Sequence, residues 1–99
     1  MLFTEERIRK LLVSERDGFD FIEKTRVRYI LYVFDREDCF EVRLIQEYLD
    51  HYNHKVEDIA LEHWYLSPTD EINYKVDLLP LILSSLNKHG LLEGGTTNA

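Results

Sequence analysis

Glu47, His51 and His54 follow one another at spacings of four and three residues. On a helix, that spacing puts a carboxylate and two imidazoles on one face, where they can present ligands to a metal ion. A structural metal site normally takes four ligands, and only His63 and Asp50 stand by to complete this one. Histidines near a helix C-terminus are also stabilised by the helix dipole without any ion, so no metal is assigned. Cys39, the single cysteine, is followed closely by Glu41 and preceded by Asp38. Acidic neighbours raise a thiol pKa, the opposite of what a nucleophile needs. The sequence has no Gly-rich phosphate loop, no Gly-x-Ser-x-Gly elbow and no His-Glu-x-x-His pair. The expectation is a non-enzymatic protein with no cofactor.

Charge narrows the class of partner. Twelve Lys and Arg face 19 Asp and Glu, a net charge of −7, with the acidic residues spread along the chain. Nucleic-acid affinity comes largely from neutralising phosphates, so a net-acidic chain without a basic run is expected to bind no nucleic acid. Its partners should be neutral or basic. With 99 residues, 44% apolar and 12% aromatic, the chain has material for one core. One cysteine permits no internal disulfide and fits a reducing compartment. No segment approaches 18 consecutive apolar residues, and the Met1-Leu2-Phe3-Thr4-Glu5-Glu6 start is acidic where a signal peptide is basic. A soluble cytosolic or cytoskeletal protein with no membrane partner is expected.

The dominant apolar spacing is helical. Thr4 can cap a first helix carrying Ile8, Leu11 and Leu12, ended by Asp17-Gly18. A second, mostly enclosed helix is expected over 19–34, with Ile22, Val27, Ile30 and Phe34 on one stripe. After the polar break 35–39, Val42, Ile45, Leu49 and Tyr52 mark a third helix, closed by Asn53 and His54. Residues 56–65 read as a short fourth helix with Ile59, Ala60 and Trp64 inward. Ser67-Pro68-Thr69-Asp70 is a loop by turn chemistry. Glu71-Ile72-Asn73-Tyr74 has the pattern of a very short strand. The last helix carries Val76, Leu79, Ile82, Leu83 and Leu86 and ends at His89-Gly90. Pro80 sits in its first turn if the helix starts near Asp77, and otherwise kinks it. Residues 93–99 have no apolar anchor and should fray.

This order resembles a paired EF-hand lobe. Leu31-Tyr32-Val33-Phe34-Asp35 is similar to the end of an EF-hand entering helix, and Ile72-Asn73-Tyr74 to the loop centre and exit-helix start of calmodulin-like proteins. With Glu41-Val42-Arg43-Leu44-Ile45 and Leu79-Pro80-Leu81-Ile82, the likeness is closest to the calmodulin-like subunits of the axonemal dynein regulatory complex. The resemblance implies an all-α fold. It divides into an extra N-terminal helix (1–18), a degenerate EF-hand-like domain (19–92) and a flexible tail (93–99). It further implies a structural adaptor in motile cilia. Calcium is not implied. An EF-hand loop needs carboxylates at positions 1 and 12 and Gly at 6, whereas counting from Asp35 puts Phe40 at 6 and Gln46 at 12. Counting back from Ile72 as position 8 puts Tyr65 at 1 and Val76 at 12.

Such a lobe binds an amphipathic or coiled-coil partner helix in an apolar groove with an acidic rim. Candidate groove residues include Phe34, Ile45 and Leu49, and the partner-binding set is Trp64, Leu78, Leu79, Leu81, Ile82 and Leu83. Leu78, Leu81 and Leu91-Leu92 lie outside the inward stripe of the last helix, a surface that a partner or a second copy would cover. Phe34, at the end of the second helix, is expected to pack in the core. Two other readings are a winged-helix or helix-turn-helix DNA-binding domain, suggested by the helix and turn over 81–92, and an unrelated small helical adaptor. Glu47, Asp50, Glu57, Asp58 and Glu62 on the third and fourth helices would repel phosphate in the DNA-binding case.

Overall fold

Residues 19–66, expected to form three helices, form a sheet. The computed structural model describes residues 1–14 and 17–95. They comprise helix α1 (Glu5–Val13), strands β1 (Gly18–Lys24), β2 (Val27–Asp35), β3 (Phe40–Leu49) and β4 (Lys55–Leu66), a 3-10 turn (Lys75–Leu78) and helix α2 (Leu79–Lys88). The strands make an antiparallel meander in the order β1-β2-β3-β4, and both helices lie on one face. The EF-hand resemblance and the all-α class are therefore overturned, and with them the helix-turn-helix geometry, because 40–65 supplies strands where that motif needs helices.

The physical reason lies in the composition of β2. Tyr29, Leu31 and Val33 face the helices, while Ile30, Tyr32 and Phe34 occupy the opposite face. A run that is apolar on both faces satisfies helical spacing as readily as alternation. Its β-branched and aromatic residues suit a pleated surface better than a helix. In β3 the helical set Val42, Ile45 and Leu49 competes with an alternating set, Phe40, Val42 and Leu44. It is the alternating set that lies together in the core.

Three turns set the register. Thr25-Arg26 joins β1 to β2, with Arg26 at φ +60° and its carbonyl accepting from Leu49 N at 2.9 Å. The loop after β2, expected to be a degenerate calcium loop, is a hairpin connection in which Arg36 N donates to the Cys39 carbonyl at 2.8 Å. Between β3 and β4, Asp50 Oδ1 accepts from Tyr52 N at 2.8 Å and His54 N at 2.9 Å, with Asn53 at φ +64°. Those backbone bonds, the one from His54 foremost, hold the Asp50 carboxyl below its ordinary pKa. No strand forms at Ile72-Asn73-Tyr74; Thr69 Oγ1 accepts from Ile72 N and Asp77 Oδ2 from Tyr74 N, which folds the segment into a loop.

The core is the space between the helices and the sheet. Ile8 and Leu12 of α1 and Ile82 and Leu86 of α2 pack with Ile22, Leu31, Val33, Val42 and Leu44. Thr4 Oγ1 caps α1 by accepting from Arg7 N at 3.2 Å. Rather than an appendage, α1 is half of the helical layer. The buried Lys75 donates from Nζ to the Ser14 carbonyl at 2.6 Å, placing a cation at the C-terminal end of α1. Pro80 falls in the first turn of α2, where its missing N–H costs nothing, because the 3-10 turn before it takes up the apolar residues upstream. Leu78, expected to face outward, is fully buried in that turn.

At its C-terminal end α2 closes with Gly90 at φ +68°. Gly90 N donates to the Asn87 carbonyl at 3.0 Å and Leu91 N to the Leu86 carbonyl at 2.9 Å, the Schellman arrangement. The turn buries Leu91 and carries the chain back to its start, where Phe3 N donates to the Leu91 carbonyl at 2.9 Å and Glu93 N to the Phe3 carbonyl at 2.7 Å. Leu91 and Leu92 thus add to the interior more than to a surface, and at the start of the expected tail Glu93 N and Gly95 N are both bonded, the latter to the Leu92 carbonyl at 3.1 Å. Residues 96–99 of the expected tail lie outside the described residues.

The sheet reverses the ranking a helical lobe would give to two substitutions. Leu31→Ala, at 2% exposure in the centre of the sheet, should cost about 2–5 kcal/mol. Phe34→Ala, on the outer face, should cost only about 1–2 kcal/mol. Urea denaturation of both variants, followed by circular dichroism, checks the order.

Candidate functional site

β4 is one of the two edge strands, and its helix-facing residues Glu62, Trp64 and Leu66 are only half-buried. Glu62, Trp64 and Leu66 pair with the inward Leu44, Val42 and Phe40, so they turn toward α2. Leu81, Ser84, Ser85 and Lys88 of α2 form the opposite wall, and the groove between has a volume of about 310 Å³. Its middle is apolar, made by Trp64, Leu66 and Leu81. One end is charged: Glu62 Oε1 accepts from Lys88 Nζ at 3.2 Å and is paired with His89 Nε2 at 3.0 Å. The His89 bond, aided by Lys88 and opposed by partial burial, holds the Glu62 carboxyl below its ordinary pKa. Ser85 Oγ is shut off from solvent with no hydrogen-bond partner among the described residues.

Of the six residues expected to bind a partner, Trp64 and Leu81 line this groove. Leu81 is 41% exposed, while Leu78, Leu79 and Ile82 are interior. Leu83 is half-buried against the core. The other groove candidates also disperse: Leu49 is buried near the end of β3, and Ile45 and Phe34 lie half-buried on the sheet. The metal-ligating face considered for Glu47, His51 and His54 disperses with the helix that would have made it. Glu47 lies on β3, paired with Arg28, while His51 and His54 sit in the following turn against the Tyr52 ring. Among the described residues, no group of three or more His, Cys, Asp or Glu is placed to hold a metal ion.

The face of the sheet away from the helices has a different covering. Ring centroids run from Phe21 to Phe19 at 6.5 Å, to Tyr32 at 6.0 Å and to Phe34 at 5.9 Å, the last pair nearly parallel. The Arg36 and Arg43 guanidinium groups lie 4.5 and 5.3 Å from the Phe34 centroid. Both donate to Glu41, Arg36 to Oε1 at 3.1 Å and Arg43 to Oε2 at 2.8 Å. His63 Nε2 meets Oε2 at 2.8 Å, and the His63 ring stands 5.1 Å from Tyr65. This ribbon crosses all four strands and roofs Glu41, which is 2% exposed. Burial pushes the Glu41 carboxyl up, but the bonds from His63, Arg43, Arg36 and Tyr65 outweigh it and hold the pKa at about 2. At the loop beside it, burial first and then Asp38 push the Cys39 thiol up, away from nucleophilic character.

The ribbon went unread in the sequence because its members are two residues apart, a period that a helical reading ignores. Phe19/Phe21, Tyr32/Phe34, Glu41/Arg43 and His63/Tyr65 are the signal that marks it. No family model matches the chain, and no curated protein or solved structure matches it. No helix among the described residues is long and apolar enough to cross a membrane.

Glu41 ties stability to pH. Its folded pKa of about 2 lies below the ordinary 4.5, so its contribution is fully present above about pH 4.5 and is lost as pH falls toward 2. Urea midpoints measured across that window should fall for the wild type. They should fall less for Glu41→Gln, which has no proton to take up.

Proposed function

We propose that the chain is a non-enzymatic adaptor that receives an apolar segment of a basic protein in the groove between β4 and α2. The supporting observation is the groove itself: an apolar floor of Trp64, Leu66 and Leu81 left open at the edge of the sheet. Buried aromatic anchors and exclusion of water are what concentrate binding energy at protein interfaces. The charge of −7 supplies long-range attraction for a cationic partner and works against nucleic acid. An adaptor is favoured over an enzyme because the imidazole–carboxylate pairs serve ion pairing. Glu41 is held by two arginines and Glu62 by Lys88. Among the described hydrogen bonds, none joins a histidine to a serine or the cysteine as acid–base catalysis on a nucleophile would need. The motile-cilium setting came from the EF-hand resemblance and goes with it, so the partner is defined here by chemistry alone.

Leu81→Asp tests the groove. Leu81 is 41% exposed and Ile82 is fully buried, so Leu81→Asp should keep the fold by circular dichroism while Ile82→Asp should unfold it. A displayed library of random peptides selected on the wild type should yield basic sequences with apolar anchors, and these should lose at least about tenfold in affinity on Leu81→Asp, about 1.4 kcal/mol. Selected peptides that bind the Leu81→Asp protein as tightly as the wild type would place the binding surface elsewhere.

A further inference from the structure

The two edges of the sheet are not equivalent. On β1, the Arg7 side chain lies across the edge: its guanidinium donates to Asp20 at 2.6 and 2.8 Å and to the Phe21 carbonyl at 2.9 Å. A backbone acceptor of that edge is therefore taken. β4 has β3 as its sheet neighbour on one side, so alternate N–H and C=O groups along its other side point away from the sheet.

Within β4 the two halves also differ. The pairing with β3 slips between Leu44 and Ile45 and again between Tyr48 and Leu49, leaving Leu61 and Val56 as the extra residues. Those bulges, together with Lys55, Glu57 and Asp58, are the devices by which an edge strand discourages pairing. Residues 62–66 have no bulge, pairing with β3 in unbroken register from Leu44 to Phe40, and their one carboxylate, Glu62, is paired with Lys88 and His89 of the helical layer. The same stretch carries Trp64 and Leu66, the β4 wall of the groove.

We infer that residues 62–66 of β4 accept an extended, basic segment of a partner protein as a fifth strand, whose inward side chains enter the groove beneath Leu81. The inference rests on the groove reading and adds the backbone conformation of the occupant. Alternate residues of an added strand point to one face, so an apolar residue at every second position meets Trp64, Leu66 and Leu81 while the backbone continues the ladder. The mode is strand addition, in which main-chain bonds give affinity and pockets for alternate side chains give specificity. Lys or Arg at the end reaching past the bulge meets Glu57, since Asp58 is already paired with Lys55 at 2.9 Å. Two copies each carry a net charge of −7 and repel one another at long range, whereas a basic segment is attracted, which disfavours a second copy as the occupant.

The test uses three synthetic peptides and the full chain. The first alternates valine and threonine, with lysines at both ends. The second has the same sequence with alternate backbone nitrogens methylated, and the third is a basic amphipathic helix of leucine, alanine and lysine. Strand addition requires the first peptide to bind, to slow amide hydrogen exchange across 62–66 by about tenfold or more, and to lose its binding on Leu81→Asp. The methylated peptide, with the same side chains but fewer donors, should not bind. If methylation makes no difference, or if only the helical peptide binds in a Leu81-dependent way, strand addition is overturned while the groove reading survives. If none of the peptides binds, both fall. Sedimentation of the chain alone gives the remaining outcome: a dimer with protected 62–66 amides would make the occupant a second copy and overturn the basic partner.

Discussion

A helix advances about 1.5 Å per residue and a strand about 3.3 Å, and that mismatch shapes this molecule. The ten residues of α2 cover about 15 Å, while the twelve of β4 run to about 40 Å. Two short helices therefore cannot roof the β3–β4 hairpin. Its far end, residues 51–60, is exposed throughout, and the long axis of the molecule reaches 46 Å. Where the helical layer does meet β4, it leaves Trp64 and Leu66 half-covered with Leu81 above them. The groove follows from chain lengths as much as from any side chain.

The helical layer itself is held by its ends. Gly90 permits the left-handed turn that buries Leu91, and the Leu91 and Phe3 backbones then join the two termini. Lys75 ties the C-terminal end of α1 to the turn preceding α2. With both helices fixed in this way, the core excludes water from one face of the sheet, and the other face must find its own cover. It does so with rings and guanidinium groups. Ile30 is buried on that face, and Glu41 becomes an inward-lying carboxylate among Arg36, Arg43, His63 and Tyr65. The aromatic ribbon is explained by this need: long amphipathic side chains shield apolar sheet surface while their charged ends reach water.

The two faces of the sheet therefore divide the work. The ribbon face is stapled laterally by the Glu41 carboxylate, whose partners come from the loop after β2, from β3 and from β4, which suits it to stability. The groove face joins an apolar cleft to an unbulged strand edge, and mobile or extended partners are commonly recognised at such junctions through backbone and side chain together. On the proposed reading, the net charge of −7 would favour a basic partner before contact.

Much at the ends of the chain was legible in the residues. Thr4 before Ile8, Leu11 and Leu12 marked α1, and His89-Gly90 marked the end of α2. Trp64 and Leu81 were also legible as partner-binding candidates, Trp64 as an aromatic anchor of the expected groove and Leu81 because it falls off the inward stripe of the last helix. The middle was misread because β2 is apolar on both faces and β3 carries apolar residues at helical and alternating spacings at once, so local pattern did not separate three helices from a meander. One core, a net-acidic composition and the two terminal helices could be read from the residues alone, because composition, charge and capping act locally. That 19–66 is a sheet, that Glu41 lies beneath its cations, and that Trp64 and Leu81, 17 residues apart, face each other across a groove, came from the fold. Each of these depends on contacts between residues that are far apart in the chain, with a strand register fixed by burial of one common face.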